Sequence, residues 1–440
     1  MKIRKVMALG LAATMAVSLA ACGGSSDSAE TAASTAASTA DAASTAEAAS
    51  EADASADASG EKVKMTLALR GGTYGEVLKQ CISDFEAENN CEIEVLDLEF
   101  DDLHSKIALD AANETGTYDL VMVDGSWMAE FTENGVLTNL SEQGYSFDDD
   151  IIPGTTSICM VDDNIYLAPY FGNVTVMLYN KQLVADAGYT GEGDIESWED
   201  VMKICESAQA AGKNGYVVRG GSADSILSDF IPVMLANGAW VVDENNQPTV
   251  NTDEMKAALT QYKALADTGA TMEKDDIVAQ IDNGDGALAV GWPGWYSPTD
   301  ETAGSYTVIP TKLTGSSEAL STALYGVWCI GVPENAPNKE LGVKLLEYVM
   351  DPEVQLSTID AGGVPCRYSC LQNEDVVAKY PTLATVCDAL EAGVYRPVIS
   401  QWTEFTNIFG TEIDNYMQGT SSLDDALANA QTELEMLMME

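Results

Sequence analysis

Three aromatic side chains crowd into Gly291-Trp292-Pro293-Gly294-Trp295-Tyr296, where two glycines and a proline signal a turn. A tryptophan left in a loop is costly unless something covers it, so this segment reads as a platform for a flat apolar face, with a place in the core as the alternative for either indole. Asp124 directly follows the apolar run Leu120-Val121-Met122-Val123. A carboxylate there can accept hydrogen bonds from two hydroxyls, or can cap the next helix instead. Beyond residue 61 the arginines are Arg70, Arg219, Arg367 and Arg396, each able to donate to several oxygens.

Bond-breaking chemistry finds less support. The chain contains no Gly-x-Ser-x-Gly, no His-Glu-x-x-His and no phosphate loop. His104 is the single histidine and Cys-x-x-Cys does not occur, so a Cys/His zinc site is not expected. Asp282-Asn283-Gly284-Asp285-Gly286 hints at a calcium loop but lacks the full ligand spacing and reads as a turn. No catalytic residue, metal or cofactor is therefore expected. Paired carboxylates of a secreted glycoside hydrolase are the enzyme reading that the composition leaves open.

The elements that must carry these groups alternate in type. Val63, Met65, Leu67 and Leu69 alternate with Lys64, Thr66 and Ala68 as in a strand, which the glycines after Arg70 end. Val77, Cys81 and Phe85 then give a helical stripe. Ile93 to Leu98 predicts a strand, Leu103 to Asn113 a helix, and the apolar run ending at Val123 a strand buried on both faces. Val174 to Tyr179 predicts another strand, and Ser197-Trp198-Glu199-Asp200 has the form of a capping box. Helices are expected over Leu341 to Met350, Phe405 to Met417 and from Leu423 onward, the last capped by Ser422. Such alternation implies α/β layers with a largely parallel sheet.

The start of the chain is an address. Lys2, Arg4 and Lys5 precede an uncharged apolar run from Val6 to Ala21, too short to span a bilayer comfortably, and Leu19-Ala20-Ala21-Cys22-Gly23 closes it. Residues 22–61 are dominated by Ala, Ser, Thr, Asp and Glu, a composition that cannot bury enough apolar surface to order itself. Of the 21 basic and 70 acidic residues, 18 and 62 fall after residue 61, a formal charge of −44. Nucleic acid and anionic membrane surfaces are poor partners for such a chain. Eight cysteines follow Cys22, and their pairing, if any, is left open.

Several fragments in order resemble the bacterial extracellular solute-binding proteins, the maltose-binding-protein-like sugar receptors of ABC importers. They are Tyr118-Asp119-Leu120-Val121-Met122-Val123-Asp124 with Trp127, Tyr166-Leu167-Ala168-Pro169-Tyr170, Leu178-Tyr179-Asn180-Lys181, Gly286-Ala287-Leu288-Ala289-Val290 with Trp292 and Trp295, and Gly362-Gly363-Val364-Pro365. The leader likewise resembles the lipobox of bacterial lipoproteins, in which the cysteine, here Cys22, receives a diacylglycerol. The resemblance implies a signal peptide over 1–21, a disordered linker over 22–61, and a two-lobed α/β fold with a hinge and a ligand cleft. One lobe would combine 62–172 with 307–359, the other 173–306 with 360–440, with crossings near 170–174, 306–310 and 360–364.

It further implies a monomer, held on the outer face of the cell membrane by its lipid, that delivers a neutral mono- or oligosaccharide to a permease. Polyamines, peptides and polyols are the alternative solutes. A sugar needs donors and acceptors for its hydroxyls and rings for its C–H faces. By the family motifs Asp124 would accept hydroxyls, Trp127 would stack, and Trp292 or Trp295 would supply a further ring. Trp328 matches another family aromatic, and Arg367 stands where sugar-binding relatives often carry arginine. Arg70 falls at a cleft loop edge, Tyr170 at a hinge, and Tyr74, Glu76 and Trp402 are placed by their segments alone. A core position is the alternative for Trp127 and Trp328, and an ion pair for Arg70 and Arg367.

Overall fold

The computed structural model describes residues 61–299, 301–312, 315 and 322–439. The leader, Cys22 and residues 22–60 of the linker lie outside them. No helix among the described residues is long and apolar enough to cross a membrane.

Two five-stranded sheets carry the fold. The first runs Cys91–Leu98, Val63–Arg70, Leu120–Asp124, Trp328–Gly331, Ala168–Phe171, with its first three strands parallel and Trp328–Gly331 antiparallel to both neighbours. Its Leu120–Asp124 strand is buried along its whole length, as the uninterrupted apolar run predicts. The second runs Gly304–Thr307, Val176–Asn180, Gly286–Gly291, Asn214–Arg219, Ala270–Met272. Here Val176–Asn180 is antiparallel to both neighbours and the last three strands are parallel. Each sheet is thus mixed rather than uniformly parallel.

Helices form where the periodicity placed them, with others such as Ala223–Ala236 and Asp253–Ala266 added. The stripe Val77 to Phe85 is divided between Thr73–Lys79 and Ile82–Asn89, with Gln80 and Cys81 between them. Ser197 accepts from the Asp200 amide at 3.2 Å while the Asp200 carboxylate accepts from the Ser197 amide at 3.1 Å, so the capping box forms and starts Trp198–Ala210. Asp351-Pro352 ends one helix, Lys339–Val349, and begins another, Pro352–Ser357, because Asp351 accepts from two amides of the new turn.

Three extended segments lie side by side between the sheets. Val174 bridges Tyr325, Leu324 bridges Val394, and the Thr175 hydroxyl accepts from the Leu324 amide at 2.7 Å. This ladder uses 172–175, 323–326 and 393–395, and the Gly172 amide also donates to the Val364 carbonyl of the crossing expected near 360–364. The stretch 360–440 also divides: Val364, Cys366, Leu383 and Leu390 join a core shared by the first sheet and part of the second, and Phe405, Phe409 and Leu427 join a core of the second alone. Cys81, Cys91, Cys159, Cys205, Cys329, Cys366, Cys370 and Cys387 are all buried and unpaired.

Candidate functional site

Strands that point their carboxyl ends at one another deliver the site. Arg70 ends Val63–Arg70 and Asp124 ends Leu120–Asp124 in the first sheet, while Arg219 ends Asn214–Arg219 and Trp292 follows Gly286–Gly291 in the second. Trp328 joins them because it is the register partner of Asp124 on an antiparallel strand, so that strand's beginning meets the others' ends. Ligands of α/β sheets collect beyond strand carboxyl ends. The cleft here is about 960 Å³ with its open mouth included, within the size of small-molecule sites.

Its walls combine rings and charge. Arg70, Tyr74, Asp124, Trp292, Trp295 and Trp328, all expected, line it together. Trp295 is the more open indole of its turn, and the Arg219 guanidinium lies 4.9 Å above its ring. The turn is pinned by the Tyr296 hydroxyl, which donates to Asp282 at 2.6 Å. Trp292 is 5% exposed, its ring held against Gly326, where a Cβ would come within 2.6 Å of it. Tyr74 packs 5.6 Å from Trp328, and burial pushes its hydroxyl up to about 12 against the pull of Arg70 and Arg219. Asp124 both faces the cleft and accepts from the Ser126 amide at 3.0 Å, so it also caps the short helix after it.

The remaining expected residues stand elsewhere. Trp127 is 3% exposed and lies behind the cleft, 4.9 Å from Phe100 and 5.8 Å from Trp328, so it supports the wall instead of presenting a face. Arg367 is buried away from the cleft, where Asp148 takes it at 2.8 Å through both oxygens and the Met350 carbonyl accepts at 2.7 Å. Tyr170 is buried in the first core, Trp402 stacks on Phe405 in the second, and Glu76 is exposed and paired with Lys79 at 2.8 Å. Among the described residues no group of three His, Cys, Asp or Glu side chains is placed to hold a metal.

Phe100, Asp101, Asn173, Asp224 and Lys274, which the sequence did not single out, also line the cleft, as do Arg219 and Arg396, which it gave no place in the site. A signal for Arg219 was present. Arg-Gly-Gly follows an apolar run twice, at Arg70-Gly71-Gly72 and Arg219-Gly220-Gly221, once in each sheet. Arg396 sits 3.8 Å from both Asp124 and Asp224 and donates to the Ser228 hydroxyl at 2.8 Å. A concavity of about 1050 Å³ lined by Tyr179, Lys181, Tyr306, Thr382 and Asp388 has neither tryptophan nor arginine, so the smaller cleft is the better site for recognition.

Behind Arg219 lies Asp229, 1% exposed, with one oxygen accepting from the Tyr262 hydroxyl at 2.7 Å and the other without a partner among the described residues. Burial raises its pKa to about 7. The folded chain then keeps a proton that the unfolded chain has lost, so this group's contribution is full below about pH 4 and falls as pH rises to about 7. Asp229→Asn should remove that fall. Its melting temperature relative to the unchanged protein is expected to climb across this interval, by at most about 4 kcal/mol in stability. A difference that stays flat from pH 4 to 7 would contradict it.

A family model described as bacterial extracellular solute-binding protein matches residues 80–385. A probable amino-acid ABC transporter periplasmic-binding protein of Sinorhizobium fredii is 20% identical over 86% of this chain and 90% of its own length. The diacetylchitobiose binding protein DasA of Streptomyces coelicolor is 22% identical over 97% of this chain and 96% of its own. Among solved structures, maltose-bound T. maritima MalE3 superposes with a TM-score of 0.75 at 23% identity, covering 85% of this chain and all of that one, 100%.

Proposed function

Given that the chain belongs to the bacterial extracellular solute-binding proteins, we propose that it captures a carbohydrate in the cleft between its lobes and delivers it to the permease of an ABC importer, without chemical turnover. The observation that carries the carbohydrate reading is the convergence of Trp295, Trp292, Tyr74 and Trp328 with Asp124, Asn173 and three arginines on one cleft. Rings take the C–H faces of a pyranose and the polar groups take its hydroxyls. Asn173 lines the cleft with its side chain at the Tyr74 hydroxyl, a further polar group beside the rings. Relatives named for diacetylchitobiose and for arabinooligosaccharides support the same class, and the one named for amino acids supplies the rival.

Closure fits the ladder at 172–175, 323–326 and 393–395, whose few residues can absorb the dihedral change of a hinge. A Cβ at Gly294 would come within 2.8 Å of the Tyr74 ring, so glycine there lets the two sides of the cleft approach. A thermal-shift screen of residues 62–440 tests the reading, because a ligand bound by the folded state alone raises its melting temperature. Sugars are expected to raise it. A shift with amino acids or polyamines and none with any sugar would overturn the assignment, and hydrolysis of a bound oligosaccharide would replace it with the hydrolase.

Anchoring belongs to the same proposal. A diacylglycerol on Cys22 would hold the receptor at the outer face of the membrane, and residues 23–61 would give it reach. Cys22→Ala should move the chain from the membrane fraction to the medium. Retention of that variant in washed membranes would refute the anchor.

A further inference from the structure

The chain carries 18 basic residues against 62 acidic ones after residue 61, yet three of the four arginines in that part, Arg70, Arg219 and Arg396, meet at the cleft. Two of them are already answered. Arg70 pairs with Glu99 at 3.0 Å, and Arg396 lies between Asp124 and Asp224, each 3.8 Å away. Arg219 is different: it has no ion-pair partner among the described residues and its guanidinium rests on the face of Trp295, 4.9 Å from the ring centre. Burial holds its pKa below the ordinary arginine value, the direction opposite to that of an ion pair. Asp224 is the stronger of the carboxylates acting on it, at no ion-pair distance, and Asp229 behind it is a weaker one, since its own burial favours the neutral acid up to about pH 7.

We infer, on the carbohydrate reading above, that the sugar recognised here carries a carboxylate, received by Arg219 where its guanidinium lies over Trp295. The arrangement matches a uronic acid: one oxygen pair for a planar guanidinium and a ring face for the indole. It favours one negative charge over a phosphate. Asp101, Asp124 and Asp224 line the same cleft and would repel a second charge. Basic residues are scarce along the chain, and folding gathers these at one cleft.

The experiment is calorimetric titration of residues 62–440 with matched pairs, glucuronate with glucose, galacturonate with galactose, and the corresponding disaccharides, alongside glutamate and glycine. At least one uronate should bind about tenfold or more tightly than its neutral partner, the reach of a charge-assisted hydrogen bond. In Arg219→Gln that ratio should collapse toward one, and Arg219→Lys should retain part of it; circular dichroism confirms that each variant folds. A neutral sugar binding as well as its uronate, or a ratio unchanged in Arg219→Gln, would overturn the inference and leave the carbohydrate reading standing. Binding of an amino acid with no sugar of either kind would overturn both.

Discussion

Trp295→Ala is expected to weaken binding of the cleft's sugar by about thirtyfold or more, with little change in melting temperature. The magnitude is that of an aromatic hot spot, about 2 kcal/mol. The indole is only partly buried, so its removal leaves no large cavity in either core. It also takes away the surface that holds the Arg219 guanidinium at 4.9 Å, so a stacking face and an oriented donor are lost together. Trp292→Ala makes a contrast. At 5% exposure and packed against Gly326, it should cost stability as well as affinity. Calorimetry beside thermal melts separates the two. Undiminished affinity in Trp295→Ala would remove the ring from the site.

Arg367→Ala is expected to do the reverse. Its guanidinium is 3% exposed and has four partners on two other stretches of chain: Asp148 at 2.8 Å and Asp150 at 3.3 Å, the Gln355 side chain at 3.1 Å and the Met350 carbonyl at 2.7 Å. Removing one partner of a buried charged network strands the others. Because Asp148 is 54% exposed and can rehydrate, the loss should sit at the low end, about 3 kcal/mol, or roughly 4 °C in melting temperature. Sugar affinity measured well below that melt should stay within about twofold. A variant that melts normally but no longer binds would return Arg367 to the ligand site, where its place in the sequence had put it.

Arg367 also shows what a sequence can and cannot carry. Periodicity located the elements it named because a strand or helix must bury one face, and the spacing of Leu67, Leu120 or Val201 states which face that is. Asp124 was legible for a similar reason, since a charge at the end of a fully apolar strand must leave the core at the strand's carboxyl end. Which arginine reaches the cleft is set by contacts distant in sequence. Arg367 meets Asp148 across 219 positions, and no local pattern announces that pairing. Arg219 was missed although it repeats the Arg-Gly-Gly of Arg70, because the strand before it, Asn214–Arg219, had not been recognised. Trp127 has the residue type of a stacking ring, yet Phe100, Phe131 and Trp328 enclose it. The ladder at 323–326 and 393–395 was not legible because short extended segments have too few residues to show a period.

The location of the bound sugar tests the whole account most directly. A crystal structure of residues 62–440 grown with the sugar giving the largest thermal shift should show it between the sheets, one ring face on Trp295, with Asp124, Asn173 and Arg219 on its oxygens. Density for the sugar in the concavity beside Tyr179 and Tyr306, with the Trp295 cleft empty, would contradict it.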